Sequence, residues 1–127
     1  MPRTPTVSDA ELEVLKVLWD AGPSTVRDVA AVLRQRRRRL AYNTVLTLLS
    51  RLRDKGYVAA DRRGPAHLFH AIVSRDELVG SSLAALADRV CEGAASPLML
   101  ALVRGQRFSA EEIAHFRKLL DDLTPKD

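Results

Sequence analysis

Residues 40–56, LAYNTVLTLLSRLRDKG, decide the fold of this chain, and their periodicity predicts a helix. Its large apolar residues fall on one side, and they are Val45, Leu48, Leu49 and Leu52. At about 100° per residue the opposite side carries short polar groups, flanked by Leu46 and Arg51. These groups are Asn43, Thr47 and Ser50. Compact donors and acceptors of this kind suit the base edges of a DNA major groove. The alternative is a core helix with an unusual exposed face, since periodicity alone carries no information about DNA.

Cations surround this helix, and we take them as candidate phosphate contacts. They are Arg36, Arg37, Arg38, Arg39, Arg51, Arg53 and Lys55. Residues 1–73 contain 13 Lys and Arg against 7 Asp and Glu, a net charge of +6, whereas residues 74–127 contain 7 against 9, a net charge of −2. A basic half joined to a different half is typical of a nucleic-acid-binding module linked to another region.

Two helices are predicted before this stretch. Ser8 and Glu11 have the spacing of a capping box at the start of the first helix, which Gly22-Pro23 ends. Ser24 or Thr25 would cap the second helix.

A hairpin is predicted after it. Residues 57–63 and 66–72 have strand character on either side of a Gly64-Pro65 turn. Three helices closed by a two-stranded hairpin make a winged helix-turn-helix, so the predicted fold class is mainly α with a small β-hairpin. The hairpin tip adds further candidate phosphate contacts, although arginines on a turn are commonly just solvated. These candidates are Arg62, Arg63 and His67.

The second half of the chain predicts three short helices with apolar stripes too large for them to bury alone. Symmetric dimerisation would cover these stripes, so we predict a winged-helix DNA-binding domain at residues 1–73 and a helical dimerisation region at residues 74–127. The alternative is that the helices fold back on the winged helix as one monomeric core. The candidate dimerisation residues are Leu78, Val79, Leu83, Leu86, Val90, Leu98, Leu102, Ile113, Phe116 and Leu120.

Several other classes find no support in the sequence. No Ser/His/Asp order or phosphate-binding loop points to an enzyme. Cys91 is the single cysteine, and His67 and His70 would point to opposite faces of a strand, so we predict neither a metal site nor a cofactor. No apolar run approaches the roughly 20 residues that span a bilayer, and the first residues lack the apolar segment of a signal peptide. We therefore predict a cytoplasmic protein.

With these residues in view, the chain resembles the penicillinase-repressor family of bacterial transcriptional regulators (the BlaI/MecI/CopY type). The resemblance is strongest at residues 44–52, TVLTLLSRL, and at residues 55–58, KGYV. It returns at residues 98–100, LML, and at residues 108–113, FSAEEI. It implies a homodimer that represses transcription from a palindromic operator. It also implies that residues at the start of the third helix contact bases, which here are Asn43, Thr44 and Thr47.

Two departures concern the inducing signal. Some relatives are inactivated through a membrane sensor-protease pathway, often by cleavage of an Asn-Phe bond, and the matching bond here joins Ala101 to Leu102. The copper-responsive branch uses a C-terminal cysteine cluster, which this sequence does not contain. The resemblance therefore supports DNA as a partner more strongly than it supports a sensor-protease pathway as a partner.

The predicted mechanism has two parts. The cations would neutralise phosphates and give salt-dependent affinity for any DNA. Asn43, Thr44 and Thr47 would discriminate between bases; Leu46 could contact a thymine methyl, and Ser50 completes the candidate base-contacting set. Two alternatives remain open at this point. One is a non-specific DNA-coating protein, and the other is a winged-helix module that binds proteins instead of DNA.

Overall fold

The computed structural model describes residues 6–124, except the side chain of Arg63. The predicted fold class is confirmed, because the described residues form helices and one antiparallel hairpin. In chain order the elements are α1 (Asp9–Ala21), α2 (Val26–Gln35), α3 (Tyr42–Asp54), β1 (Val58–Arg63), β2 (Ala66–Ala71), α4 (Arg75–Val90), α5 (Ser96–Gly105) and α6 (Ala110–Leu123). Among the described residues, no helix is long and apolar enough to cross a membrane.

Side-chain caps fix where the first two helices begin. The predicted capping box of α1 is confirmed, with Ser8 Oγ accepting a hydrogen bond from the Glu11 amide at 3.2 Å. Of the two candidates for α2, the cap is Thr25. Ser24 instead exchanges two backbone hydrogen bonds with Phe69, of 2.9 and 2.8 Å. This bridge attaches the start of α2 to β2, so the hairpin is fixed to the helical part of the fold.

The core of the winged helix consists of the inner faces of α1, α2 and α3 together with the first residues of the hairpin. The buried side chains from the first three helices are Val14, Leu15, Val17, Leu18, Val26, Val29, Leu33, Val45, Leu48, Leu49 and Leu52, and Tyr57, Val58 and Phe69 join them from the hairpin segment. Because α3 buries its predicted apolar stripe here, its polar side faces outward.

The hairpin is short and has a regular register. Val58 pairs with Ala71 at its base, and Arg62 pairs with His67 near its tip. Gly64 has a φ of +65°, in the left-handed region that a tight turn of this kind requires. The hairpin therefore places the predicted tip residues Arg62 and His67 opposite each other on neighbouring strands.

The chain divides into two compact units, Met1–Ala85 and Leu86–Asp127, and the division falls within α4. The prediction put the boundary at residues 73 and 74, before this helix. The start of α4 belongs to the first unit because Leu78 is only 8% exposed and packs in the winged-helix core. Leu78 is therefore part of that core, and we leave it out of the candidate dimer surface.

Helices α5 and α6 of the second unit expose most of their apolar side chains. Neither helix buries a residue. The predicted residues Leu102, Ile113, Phe116 and Leu120 are all exposed, while Leu98 is half-buried. On α4, Val79, Leu83, Leu86 and Val90 are exposed as well. Among the residues that the structure describes, these apolar side chains remain exposed, and exposed apolar patches commonly mark an interaction surface.

Candidate nucleic-acid interface

The outward side of α3 carries the first group of candidate residues. Asn43, Thr44 and Thr47 are all exposed within its first two turns. The hydroxyl of Thr47 donates a hydrogen bond to the backbone carbonyl of Asn43 at 2.9 Å. This bond occupies the only proton of Thr47 Oγ1, so the side chain offers outward its methyl group and its oxygen lone pairs.

Asn43, Thr44 and Thr47 form the outer ridge of α3. A second stripe of the same helix lines a groove beside this ridge. Leu46 and Ser50, both predicted to contact bases, belong to this stripe together with Tyr42 and Arg53. The opposite walls come from the start of α2 and from β2, and the groove has a volume of about 720 Å³. Its remaining lining residues are Thr25, Val26, Arg27, Pro65, Ala66, His67 and Phe69.

The arginines before α3 differ in what they contact. Arg36 is the C-terminal cap of α2, and its guanidinium pairs with Asp20 at 2.9 Å. Arg37 has a left-handed φ of +63°, and it lies just after the end of α2. Arg37, Arg38 and Arg39 are exposed, and none has a carboxylate partner among the described residues. These three arginines are free to contact phosphates, whereas Arg36 is already paired.

Lys55, predicted to contact phosphate, is held in an ion pair at the end of α3. Its ammonium lies 2.7 Å from Glu11 Oε2 and donates to the carbonyl of Thr6 at 2.6 Å. Glu11 is 2% exposed. Burial alone would raise the pKa of Glu11, but hydrogen bonds from Lys55 and Ser8 outweigh it and lower that pKa below its ordinary value. While this pair holds, Lys55 is not available to a phosphate.

The other predicted phosphate contacts are exposed. Arg51 and Arg53 lie on the second half of α3, and neither has a carboxylate partner among the described residues. Arg62 and His67 are exposed at paired positions near the hairpin tip. The predicted contact of the Arg63 side chain lies outside the described part of the structure.

Two groove residues were missed by the sequence reasoning, namely Arg27 and Tyr42. Arg27 follows the cap of α2 and is exposed, and Tyr42 opens α3 with half of its surface exposed. Their types and exposed positions were visible in the sequence. Their common groove was not, because periodicity gives the face of a helix and not the element that lies opposite it.

Comparison with known proteins now identifies the family. The family model described as penicillinase repressor matches residues 7–122. The chain belongs to the penicillinase repressor family. Its members are transcriptional repressors and not enzymes.

Relatives within this family match over almost their full lengths. The transcriptional regulator BlaI of Mycobacterium tuberculosis is 36% identical over 125 residues, which is 97% of this chain and 88% of that protein. The penicillinase repressor of Bacillus licheniformis is 25% identical over 122 residues, 96% of this chain and 94% of that protein. The similarity therefore includes both compact units.

Two solved structures of a related DNA-binding domain are similar to part of the chain. One is the solution structure of the DNA-binding domain of the repressor BlaI, with 28% identity and a TM-score of 0.52. The other is the Bacillus licheniformis BlaI monomeric form in complex with the blaP half-operator, with 28% identity and a TM-score of 0.50. Each match covers 61% of this chain and 93% of the other chain. Both support the winged-helix fold.

Proposed function

We propose that this penicillinase-repressor family member is a homodimer that binds a palindromic DNA operator and represses transcription by occupying a promoter. The observation that carries the proposal is the two-sided character of α3. One side is anchored by Val45, Leu49 and Leu52, which are fully buried, and the other exposes short polar side chains. A rigid helix with compact polar groups is what a major groove accepts.

The relatives support the choice of DNA as the partner. A monomeric form of the Bacillus licheniformis relative binds a half-operator, and the similar region of this chain is its winged helix. A module that binds proteins instead of DNA would leave the net positive charge of residues 1–73 without a partner. Since chromosomal DNA is the proposed partner, the repressor would act in the cytoplasm.

Base discrimination is assigned to the outer ridge of α3. The Asn43 amide can pair with an adenine edge through one donor and one acceptor. Thr47 would contribute its methyl to a thymine methyl, or accept a hydrogen bond from an adenine or cytosine amino group, because its own proton is already engaged. Thr44 lies beside Asn43 on the first turn of α3 and is exposed as well. A good base contact contributes about 1–3 kcal/mol of discrimination.

General affinity is assigned to the exposed cations. These are Arg37, Arg38, Arg39, Arg51, Arg53, Arg62 and His67, with Arg63 added from its sequence position. They come from the loop before α3, from α3 itself and from the hairpin, so they would surround the helix that enters the groove. Contacts of this kind fix the position of a protein on DNA and add affinity that falls as salt rises.

Dimerisation is supported by the unburied apolar stripes of α4, α5 and α6. A second copy of the chain supplies an equally apolar surface, and a twofold axis lets each stripe contact its counterpart. Two copies of α3 would then contact half-sites about one helical turn apart, or a multiple of it. Release by cleavage between Ala101 and Leu102 would first require α5 to open, because this bond lies inside the helix.

The experiment that tests the proposal is selection of bound fragments from a random DNA pool at near-physiological salt. We expect an enriched inverted repeat. Binding without any enriched motif would favour a DNA-coating protein, and absence of binding would favour a protein-interaction module. Either of these results would contradict the proposed function.

A further inference from the structure

The groove beside α3 combines cations with an apolar floor. Arg27 of α2, Arg53 of α3 and His67 of β2 all line it. Leu46 and Phe69 are among its apolar lining residues. No Asp or Glu occurs among the described residues that line it. Three separate elements thus contribute positive or protonatable groups to one concave surface, and nothing in its lining offsets them.

The cations of this groove are available to an anion. Arg27 and Arg53 are exposed, and neither guanidinium group forms an ion pair or a hydrogen bond with another described residue. This separates them from Arg36 and Lys55, whose charges are already matched by Asp20 and Glu11. Guanidinium groups bind phosphate oxygens through two parallel hydrogen bonds when they are not otherwise engaged.

We propose that this groove holds one sugar–phosphate strand of the bound DNA, with Arg27 and Arg53 contacting phosphates and Leu46 packing against a deoxyribose. A DNA strand alternates an anionic group with a largely apolar sugar, which matches cations set around an apolar floor. The proposal rests on the proposed function and deepens it, because it names the residues that place the strand next to the ridge of α3.

The position of the groove on α3 supports this choice. Tyr42, Leu46 and Ser50 follow one another at intervals of four residues, and Asn43 and Thr47 form the neighbouring row. When the Asn43 row enters a major groove, the row beside it faces the strand that borders that groove. Leu46 and Ser50, which the sequence assigned to base edges, would then contact backbone instead.

The proposal predicts which phosphates matter to each variant. Operator DNA taken from the random-pool selection is ethylated at single phosphates, and the fragments that still bind are sequenced. With the unchanged protein, ethylation at certain phosphates blocks binding. Arg27→Ala should become insensitive to one of these phosphates in each half-site, and Arg53→Ala to another on the same strand.

Salt dependence gives a second readout for the same variants. Each lost phosphate contact should flatten the slope of log affinity against log salt by about 0.9. Operator and random DNA should weaken by the same factor. Arg27→Lys keeps the charge and should largely restore the slope. Lys16→Gln is the matched control, because it removes one charge from α1, where Lys16 pairs with Glu13 at 3.8 Å outside the groove.

The results that overturn the proposal are distinct from failure of the proposed function. Arg27 is exposed, so a thermal melt should show that Arg27→Ala folds normally. If the unchanged protein selects an inverted repeat but both arginine variants keep its ethylation pattern and its salt slope, the strand does not lie in this groove. If Leu46→Ala loses preference at one operator position instead of weakening all DNA equally, Leu46 contacts a base and the assignment fails. If no repeat is selected, the proposed function itself has failed.

Discussion

At the scale of single residues, Thr47 shows how local structure limits what a side chain offers a ligand. A threonine in a sequence could donate or accept a hydrogen bond. In α3 its hydroxyl donates to the carbonyl of Asn43 four residues earlier. Only the methyl and the oxygen lone pairs remain for a base, which narrows its favourable partners to a thymine methyl or an amino group.

Asn43→Ala and Thr47→Ala should each relax sequence preference at one position of the operator half-site. The expected loss is about 1–3 kcal/mol of discrimination, because one base contact disappears. The salt slope should stay unchanged, since neither residue is charged. Competition binding with operator and random DNA at several salt concentrations measures both effects. If random DNA weakens as much as operator, these residues do not contact bases.

At the scale of elements, periodicity predicted the helices and their faces but not what lies against each face. The buried stripe of α3 and the capping box of α1 are local features, so the sequence was sufficient for them. The partner of Lys55 is Glu11, which lies 44 positions earlier, and no local pattern connects the two. The burial of Leu78 likewise depends on the way the start of α4 meets the winged-helix core.

The Glu11–Lys55 pair joins the start of α1 to the end of α3, so it should stabilise the position of α3. Glu11→Gln should lower the free energy of unfolding at neutral pH by about 1–3 kcal/mol, because Lys55 loses its charged partner. The folded-state pKa of Glu11 lies below its ordinary value of 4.5, so this stabilisation is present above pH 4.5 and is lost as pH falls through the folded-state pKa. Urea unfolding at a series of pH values measures this.

The control for that experiment is Glu13→Gln, which removes a partly exposed partner of Lys16 on the same helix. It should change stability by less than about 1 kcal/mol at any of these pH values. The free energies of unfolding of Glu11→Gln and of the unchanged protein should converge at low pH, because a protonated Glu11 resembles glutamine. A stability difference between Glu11→Gln and the unchanged protein that stays constant down to pH 2 would show that the ion pair does not stabilise the fold.

At the scale of the whole molecule, the main feature of the second half is a set of apolar side chains that remain exposed among the described residues. Leu123 is 73% exposed, and Leu83, Leu86 and Val90 form an exposed row on α4. Burying one such side chain contributes about 1.5–3 kcal/mol. In a symmetric dimer, each residue of the interface would be buried once in each copy. Apolar content was enough to predict a dimerisation region from the sequence, but it could not assign each residue to that region, because burial depends on which elements pack together.

Leu83→Asp should weaken the dimer about a hundredfold, because each copy would bring an unpaired carboxylate into an apolar interface. Operator affinity should fall with it, since a monomer contacts one half-site. Ala84→Asp is the matched control: it adds the same charge at an exposed position beside the apolar row of α4. Sedimentation across a range of protein concentrations measures both variants. An unchanged dimer mass for Leu83→Asp would remove Leu83 from the interface.

The proposed function requires two copies of this chain to bind the two halves of one inverted repeat. The most direct measurement is the stoichiometry and affinity of binding to the selected repeat, compared with the same repeat carrying one scrambled half. We predict two chains on the intact repeat and much weaker binding when one half is scrambled. One chain per intact repeat, or equal affinity for the two fragments, would contradict the account.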